Sequence, residues 1–352
     1  MKTIKIEDAL KLENTIFIDV RTEKEYEDDH ILNAYNMPLF DNDEYCEVGT
    51  IYKKEGKHQA IDKGFDFVSP KLKNMYTVAR ELSAKYDHIV IYCARGGMRS
   101  GAVANLLASI GIDLYKLEGG YKSYRNYVLN YLRTIMDKKQ FIVLHGLTGV
   151  GKTELLVELK KNNIDMVDLE YMARNTGSAF GFITYDEKPP SQKTFETRIF
   201  ESLFFSNSDY IFIESESKRV GHVLVPNEIY EGIIRDGYHI LIECDMKDRV
   251  KRLCKDYIYN RNEENIKDLK ECINTFRKRL GHKTVDKYLE LLDNKQYEEL
   301  VEDYLVSYYD PLYMHSINQY KYNDIMKFED IKNITEKLIS FHRTSVEGVK
   351  QC

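Results

Sequence analysis

Two short stretches carry residue types that do chemistry. In Cys93-Ala94-Arg95-Gly96-Gly97-Met98-Arg99-Ser100 a cysteine closes the apolar run His88–Tyr92, and an apolar pattern of helical period begins at Ala102. A loop entering a helix points successive backbone N–H groups, and the positive helix end, into its bowl. A thiol there should have a depressed pKa, the more so beside Arg95 and Arg99, and the thiolate is the nucleophilic form. A buried cysteine that merely closes a core strand is the plainer alternative. The second stretch, Gly146-Leu147-Thr148-Gly149-Val150-Gly151-Lys152-Thr153, fits GxxxxGK[ST] in full. It follows the strand-like Phe141–Leu144 and opens a helix through Glu154, Leu155, Leu156 and Leu159, which is the context the pattern requires. Gly146, Gly149 and Gly151 let amides close on phosphate oxygens, Lys152 adds a point charge, and the Thr153 hydroxyl is a candidate Mg²⁺ ligand. The pattern does not say whether the phosphate belongs to a nucleotide.

Acidic residues at strand ends are the next candidates. Asp168 closes Asp165–Val167, and Glu214 and Glu216 close the apolar run Tyr210–Ile213, where a phosphate-loop domain keeps a metal-linked or water-orienting acid. A plain salt bridge is the alternative role for either glutamate. Lys218 and Arg219 follow directly. Further on, Arg249, Arg252, Arg261, Arg277, Lys278 and Arg279 give a local basic excess, read either as a solvated helical face or as an RNA contact. The tyrosines of this part read as packing rather than base-stacking platforms.

The elements that must position these residues alternate β and α. Thr15–Arg21, His88–Tyr92 and Leu114–Leu117 read as strands, and Ser69-Pro70 as a capped helix start before the apolar face Leu72, Met75, Val78, Ala79 and Leu82. Alternation predicts parallel sheets with ligand loops at the strands' carboxyl ends. The fold class expected is therefore α/β: one parallel domain over residues 1–135, then a phosphate-loop domain over 136–352 with a helical extension from about 247. Residues 41–67 form an insertion in the first domain. Cys46, within it, is either incidental or a resolving thiol.

Composition narrows the classes. Of 352 residues, 43% are hydrophobic and 31% charged, as in a globular protein. No apolar run reaches membrane-spanning length and the N-terminus lacks a signal-peptide core, so a cytoplasmic protein is expected. Six scattered cysteines include no CxxC, which predicts neither a disulfide framework nor a structural metal. A net charge of −6 argues against a large nucleic-acid surface but allows a local basic patch.

Ile18-Asp19-Val20-Arg21, Glu25-Tyr26, His30-Ile31, Ala34, Asn36, Pro38-Leu39, the Cys93–Arg99 loop and Leu117-Glu118-Gly119-Gly120 resemble a rhodanese domain. That resemblance implies that Cys93 carries sulfur or selenium as a persulfide or perselenide, cradled by loop amides and balanced by Arg95 and Arg99. With the phosphate loop, Gly177-Ser178-Ala179-Phe180-Gly181, Pro190-Ser191-Gln192 and Glu214-Ser215-Glu216-Ser217, the whole chain resembles the tRNA 2-selenouridine synthase family. An aromatic usual in that family between the cysteine and the first arginine is here Ala94, a change expected to be tolerated because backbone and arginines hold the anion. The resemblance implies conversion of wobble 2-thiouridine in tRNA to 2-selenouridine with selenophosphate, through an S-geranyl intermediate made from geranyl diphosphate. Alternatives from other classes are an ATP-dependent phosphotransferase or sulfurtransferase using a rhodanese persulfide, and a non-enzymatic chalcogen carrier with a nucleotide switch.

Overall fold

The structure, a computed structural model, describes residues 2–175, 188–259 and 263–349. The expectations at Gly177–Gly181 and Arg261 lie outside the described residues. The chain divides into two compact units, Met1–Tyr131 and Leu132–Cys352.

In the first unit five strands form one parallel sheet. They are β1 (Lys2–Ile4), β2 (Thr15–Asp19), β3 (Tyr35–Asn36), β4 (His88–Tyr92) and β5 (Tyr115–Leu117), in the order β1-β5-β4-β2-β3. The central strands β2 and β4 are almost wholly buried, as apolar runs in a parallel sheet covered on both faces should be. The 41–67 insertion is a pair of helices, Asn42–Lys54 and Lys57–Val68, the first closed by a reciprocal capping box between Asp41 and Glu44. Ser69 departs from expectation. Its hydroxyl donates back to Phe65 O at 2.6 Å, so a single 3₁₀ turn links the two helical runs and no serine cap begins a new one.

The second unit holds another parallel sheet. Its strands β6 (Gln140–His145), β7 (Met166–Val167), β8 (Tyr210–Glu214), β11 (Tyr238–Glu243) and β12 (Asp324–Lys327) lie in the order β12-β11-β6-β8-β7. A short antiparallel ribbon, β9 (Arg219–Val220) with β10 (Val223–Leu224), stands apart. The region from 247 onward is mainly helical, but it is no simple extension. After the helices it returns as β12, pairs in parallel with β11, and adds the helix Ile331–Val349. A four-residue edge strand with only alternate residues half-buried, among long helical patterns, leaves little periodic signal.

Candidate functional site

Cys93 follows β4 directly and is 3% exposed, within the core cluster of the first unit. Its Sγ lies 3.2 Å from the Ser100 hydroxyl. Burial pushes the thiol pKa up. Hydrogen bonds from the Ser100 hydroxyl and from the backbone N–H groups of Ser100 and Arg95, with the charge of Arg99, outweigh that and hold it below the ordinary thiol value. The bowl is shaped by glycines. Gly96 and Gly120 both have positive φ, and a Cβ on Gly120 would meet Cys93 O at 2.1 Å and Gly96 N at 2.5 Å. Backbone N–H groups of Tyr121 and Lys122 donate to Cys93 O and Ala94 O at 2.9 and 3.0 Å. Position 94 is thus fixed through its main chain, whatever its side chain.

The two loop arginines differ. Arg99 donates to both carboxylate oxygens of Glu25 at 2.6 and 3.2 Å and lies 4.6 Å from the Tyr45 ring centroid. Glu25 is set by a capping box with Thr22 at the start of the helix Glu23–Asp28. Arg95 presents an exposed side chain and contributes its amide to the bowl. Behind both, the buried Asp19–Arg21 pair (2.6 Å) lies under Tyr121, whose ring centroid is 4.0 Å from the Arg21 guanidinium carbon.

In the second unit β6 ends at His145 and the helix Lys152–Lys161 begins after the glycine loop. Gly146, Gly149 and Gly151 all have positive φ. A Cβ on Gly146 would meet Ile242 O at 2.6 Å, and one on Gly151 would meet Phe328 at 2.8 Å, so only glycine closes this loop. Lys152 Nζ donates to Gly146 O at 3.1 Å, arching over the bowl. Thr153 Oγ1 donates to Glu170 at 3.3 Å. His145 is buried and pairs with His239 at 2.8 Å. Burial, with His239 and Lys152, pushes its pKa down to about 3, so it adds no charge beside the loop.

Carboxylates crowd the rim. Oxygens of Glu170, Glu214 and Glu216 lie within 4.8 Å of one another, Glu214 is fully buried, and its Oε2 has no hydrogen-bond partner. Burial and their mutual repulsion hold Glu170 and Glu214 well above the usual carboxylate range, and burial raises Glu216. Asp168, also raised by burial, N-caps the short helix Leu169–Ala173 by accepting from Tyr171 N at 2.8 Å, while Glu170 N donates to Glu214 Oε1 at 2.8 Å. Sequence reasoning missed Glu170. Its one signal was the place two residues beyond Asp168. Three acids beside a phosphate-loop threonine, one with an unpartnered buried oxygen, fit a hard divalent cation.

The basic candidates split. Arg249, 3% exposed, makes a bidentate pair with Asp310 (2.9 and 2.6 Å) and donates to Thr148 O at 2.9 Å. Arg252 donates to Gly149 O at 2.5 Å and Glu154 at 2.8 Å. Both brace the phosphate loop, which corrects for these two the reading as a solvated helical face or an RNA contact. Their position on the inner face of the helix Met246–Cys254 was hidden because arginine is read as exposed by default. Arg277, Lys278 and Arg279 lie in the short helix Arg277–Leu280; Lys278 and Arg279 are exposed, and Arg277 is half-buried with an ion pair to Asp286 at 2.7 Å.

A thiol bowl built to stabilise an anion and a phosphate loop rimmed by acids define a two-domain protein of chalcogen and phosphate chemistry. The rhodanese-like domain model matches residues 5–127, and the tRNA 2-selenouridine synthase AAA domain model matches 139–344. Curated proteins named tRNA 2-selenouridine synthase are similar over most of their length. The one from Shewanella halifaxensis is 30% identical over 86% of this chain and 88% of its own, and the one from Pseudomonas syringae pv. syringae is 30% identical over 87% and 89%. A solved N-terminal domain from Clostridium difficile 630 is 69% identical, covering 36% of this chain and 99% of its own, with a TM-score of 0.36. The chain belongs to the tRNA 2-selenouridine synthase family.

Proposed function

We propose that this protein is a tRNA 2-selenouridine synthase of the cytoplasm that works in two half-reactions, one at each bowl. In the first, the sulfur of wobble 2-thiouridine attacks the first carbon of geranyl diphosphate, the C–O bond breaks, and the base loses its N3 proton. The departing pyrophosphate is held by the amides of Gly146–Thr153 and by Lys152, where preorganised donors act on charge that develops in the transition state. Mg²⁺ at Glu170, Glu214, Glu216 and Thr153 would supply further charge to that leaving group. Alkylation matters because a thiocarbonyl sulfur is a poor leaving group, whereas an S-alkyl thiolate departs.

In the second half-reaction selenium attacks C2 of S-geranyl-2-thiouridine, the C2–S bond breaks, and geranyl thiolate leaves and takes a proton. With selenophosphate as nucleophile, water then cleaves the P–Se bond to give 2-selenouridine and phosphate. Cys93 holds or guides the selenium, and the donors that lower its own pKa serve a selenium anion equally. Arg95 and Arg99 steer the anion, while Lys278 and Arg279, with Arg277 beside them, contact the tRNA backbone.

The observation that carries this reading is the anion-stabilising environment of Cys93, with its depressed thiol pKa, in the same chain as a complete phosphate loop. The acids beside Thr153 would equally suit nucleoside triphosphate hydrolysis, so the test includes it. Mass spectrometry of tRNA nucleosides after incubation with geranyl diphosphate and selenophosphate should show S-geranyl-2-thiouridine and then 2-selenouridine. ATP turnover that needs Lys152, with no modified nucleoside, would instead favour the phosphotransferase, and persulfide on Cys93 alone the carrier.

A further inference from the structure

The helix pair Asn42–Lys54 and Lys57–Val68 encloses a cavity of about 300 Å³ against the first turn of the helix Met98–Ser109. That turn is the one that closes the Cys93 bowl. Arg99 borders the cavity, stacks on its Tyr45 wall, and bears on the Cys93 thiol. Four large apolar side chains around it are solvent-exposed: Tyr45 (42%), Tyr52 (55%), Phe65 (66%) and Met98 (59%). Isolated exposed apolar residues need no explanation, but several around one concavity mark a binding site. Neither helix of the pair buries a large side chain of its own: Ala60 and Gly64 are the buried residues of the second, and the first has none. Val48, Phe67 and Val68 pack partly against the core, and the remaining apolar surface of the pair faces the cavity.

We infer that this cavity receives the geranyl chain of S-geranyl-2-thiouridine while selenium at Cys93 displaces the sulfur. The inference rests on the two-step reading above and adds a specificity site in the first unit. Three features select the occupant. The walls are apolar, so the ligand is a hydrocarbon. The size suits ten carbons: an apolar cavity of about 150 Å³ holds the six carbons of benzene, so about 250 Å³ serves ten. Met98 and Arg99, where the Cys93 loop enters its helix, line the cavity, so a hydrocarbon there is one attached to the reacting base. A concavity of this volume, lined by apolar side chains, suits a flexible hydrocarbon chain. Binding energy from a remote apolar group then places C2 against the selenium, and the thiol product leaves with the chain already out of water.

Gly49 lines the cavity, and a Cβ there would meet nothing within 4 Å. Gly49→Phe therefore puts a ring into open space, on a helix that gains propensity by losing glycine. The experiment supplies the full-length protein with selenophosphate and tRNA bearing either S-geranyl- or S-methyl-2-thiouridine, and compares kcat/KM for the two. Gly49→Phe should lower the geranyl-to-methyl ratio about tenfold or more, the scale on which apolar pockets discriminate. Gly49→Ala should leave the ratio near that of the parent protein. Because a ratio is read, a general loss of folding or of selenium supply cancels. An unchanged geranyl-to-methyl ratio in Gly49→Phe would overturn the inference. Failure of the parent protein to convert S-geranyl tRNA at all would instead overturn the two-step reading.

Discussion

The bowls at Cys93 and at Gly146–Thr153 are built alike and charged oppositely. Each follows a buried parallel strand, turns on positive-φ glycines, and enters a helix whose first amides face inward. Around Cys93 the donors favour a negative sulfur, and the carboxylates of Glu25 and Asp19 are occupied by Arg99 and Arg21. Around Thr153, by contrast, Glu170, Glu214 and Glu216 are held together so tightly that ionising them is disfavoured. In the proposed mechanism the same backbone device serves as an anion holder in one unit and, in the other, as a phosphate site that calls for a cation. What surrounds the loop decides the chemistry.

The largest effect should come from removing the buried arginine that braces the second bowl. Arg249→Ala leaves Asp310 without its buried partner, and breaking such a pair costs about 3–5 kcal/mol. Thermal melting should fall steeply in this variant, whereas Lys278→Ala and Arg279→Ala should melt as the parent and weaken tRNA binding in a salt-dependent way. Lower tRNA affinity without lost stability in Arg249→Ala would restore it to the RNA face. Lys152→Ala comes next. Geranylation should drop about 10²–10³-fold, as when one transition-state donor is lost, with selenation of pre-geranylated tRNA retained. A parallel fall in selenation would merge the two bowls into one site.

The acid cluster predicts a pH signature. Unfolded, a glutamate titrates near 4.5, and Glu214 is raised well above this in the fold. Between those values the folded chain binds more protons than the unfolded one, so stability falls as pH rises through that window. Mg²⁺ should counter the fall by binding the folded state, raising the melting temperature more at pH 8 than at pH 5. Glu214→Gln should flatten both dependences, and melting curves with unchanged slopes in that variant would place the cause elsewhere. The smallest effect is at the first bowl. Ser100→Ala removes a donor to the sulfur and should raise the Cys93 pKa, read as a shift of thiolate absorbance relative to Cys93→Ser. No shift would mean that the amides alone set it.

Much of this was legible in the sequence, because both bowls are local: strand, loop and helix lie within a dozen residues, and glycines punctuate them. The unread part is non-local. Glu25 reaches Arg99 from 74 positions away, Glu170 joins Glu214 and Glu216 at and beyond the end of β8, and Gly120 closes on Cys93 from a separate turn. Arg249 and Arg252 misled because charge on an amphipathic helix is taken as solvated, whereas here it completes loop carbonyls. The Lys- and His-bearing insertion gave no sign of a cavity, since its aromatics converge only when the two helices pair.

The division of labour between the bowls stands or falls on Cys93→Ser. With 2-thiouridine tRNA, geranyl diphosphate and selenophosphate, nucleoside mass spectrometry of this variant should show S-geranyl-2-thiouridine accumulating at the parent rate and no 2-selenouridine. Equal loss of both products, or selenouridine formed without Cys93, would contradict it.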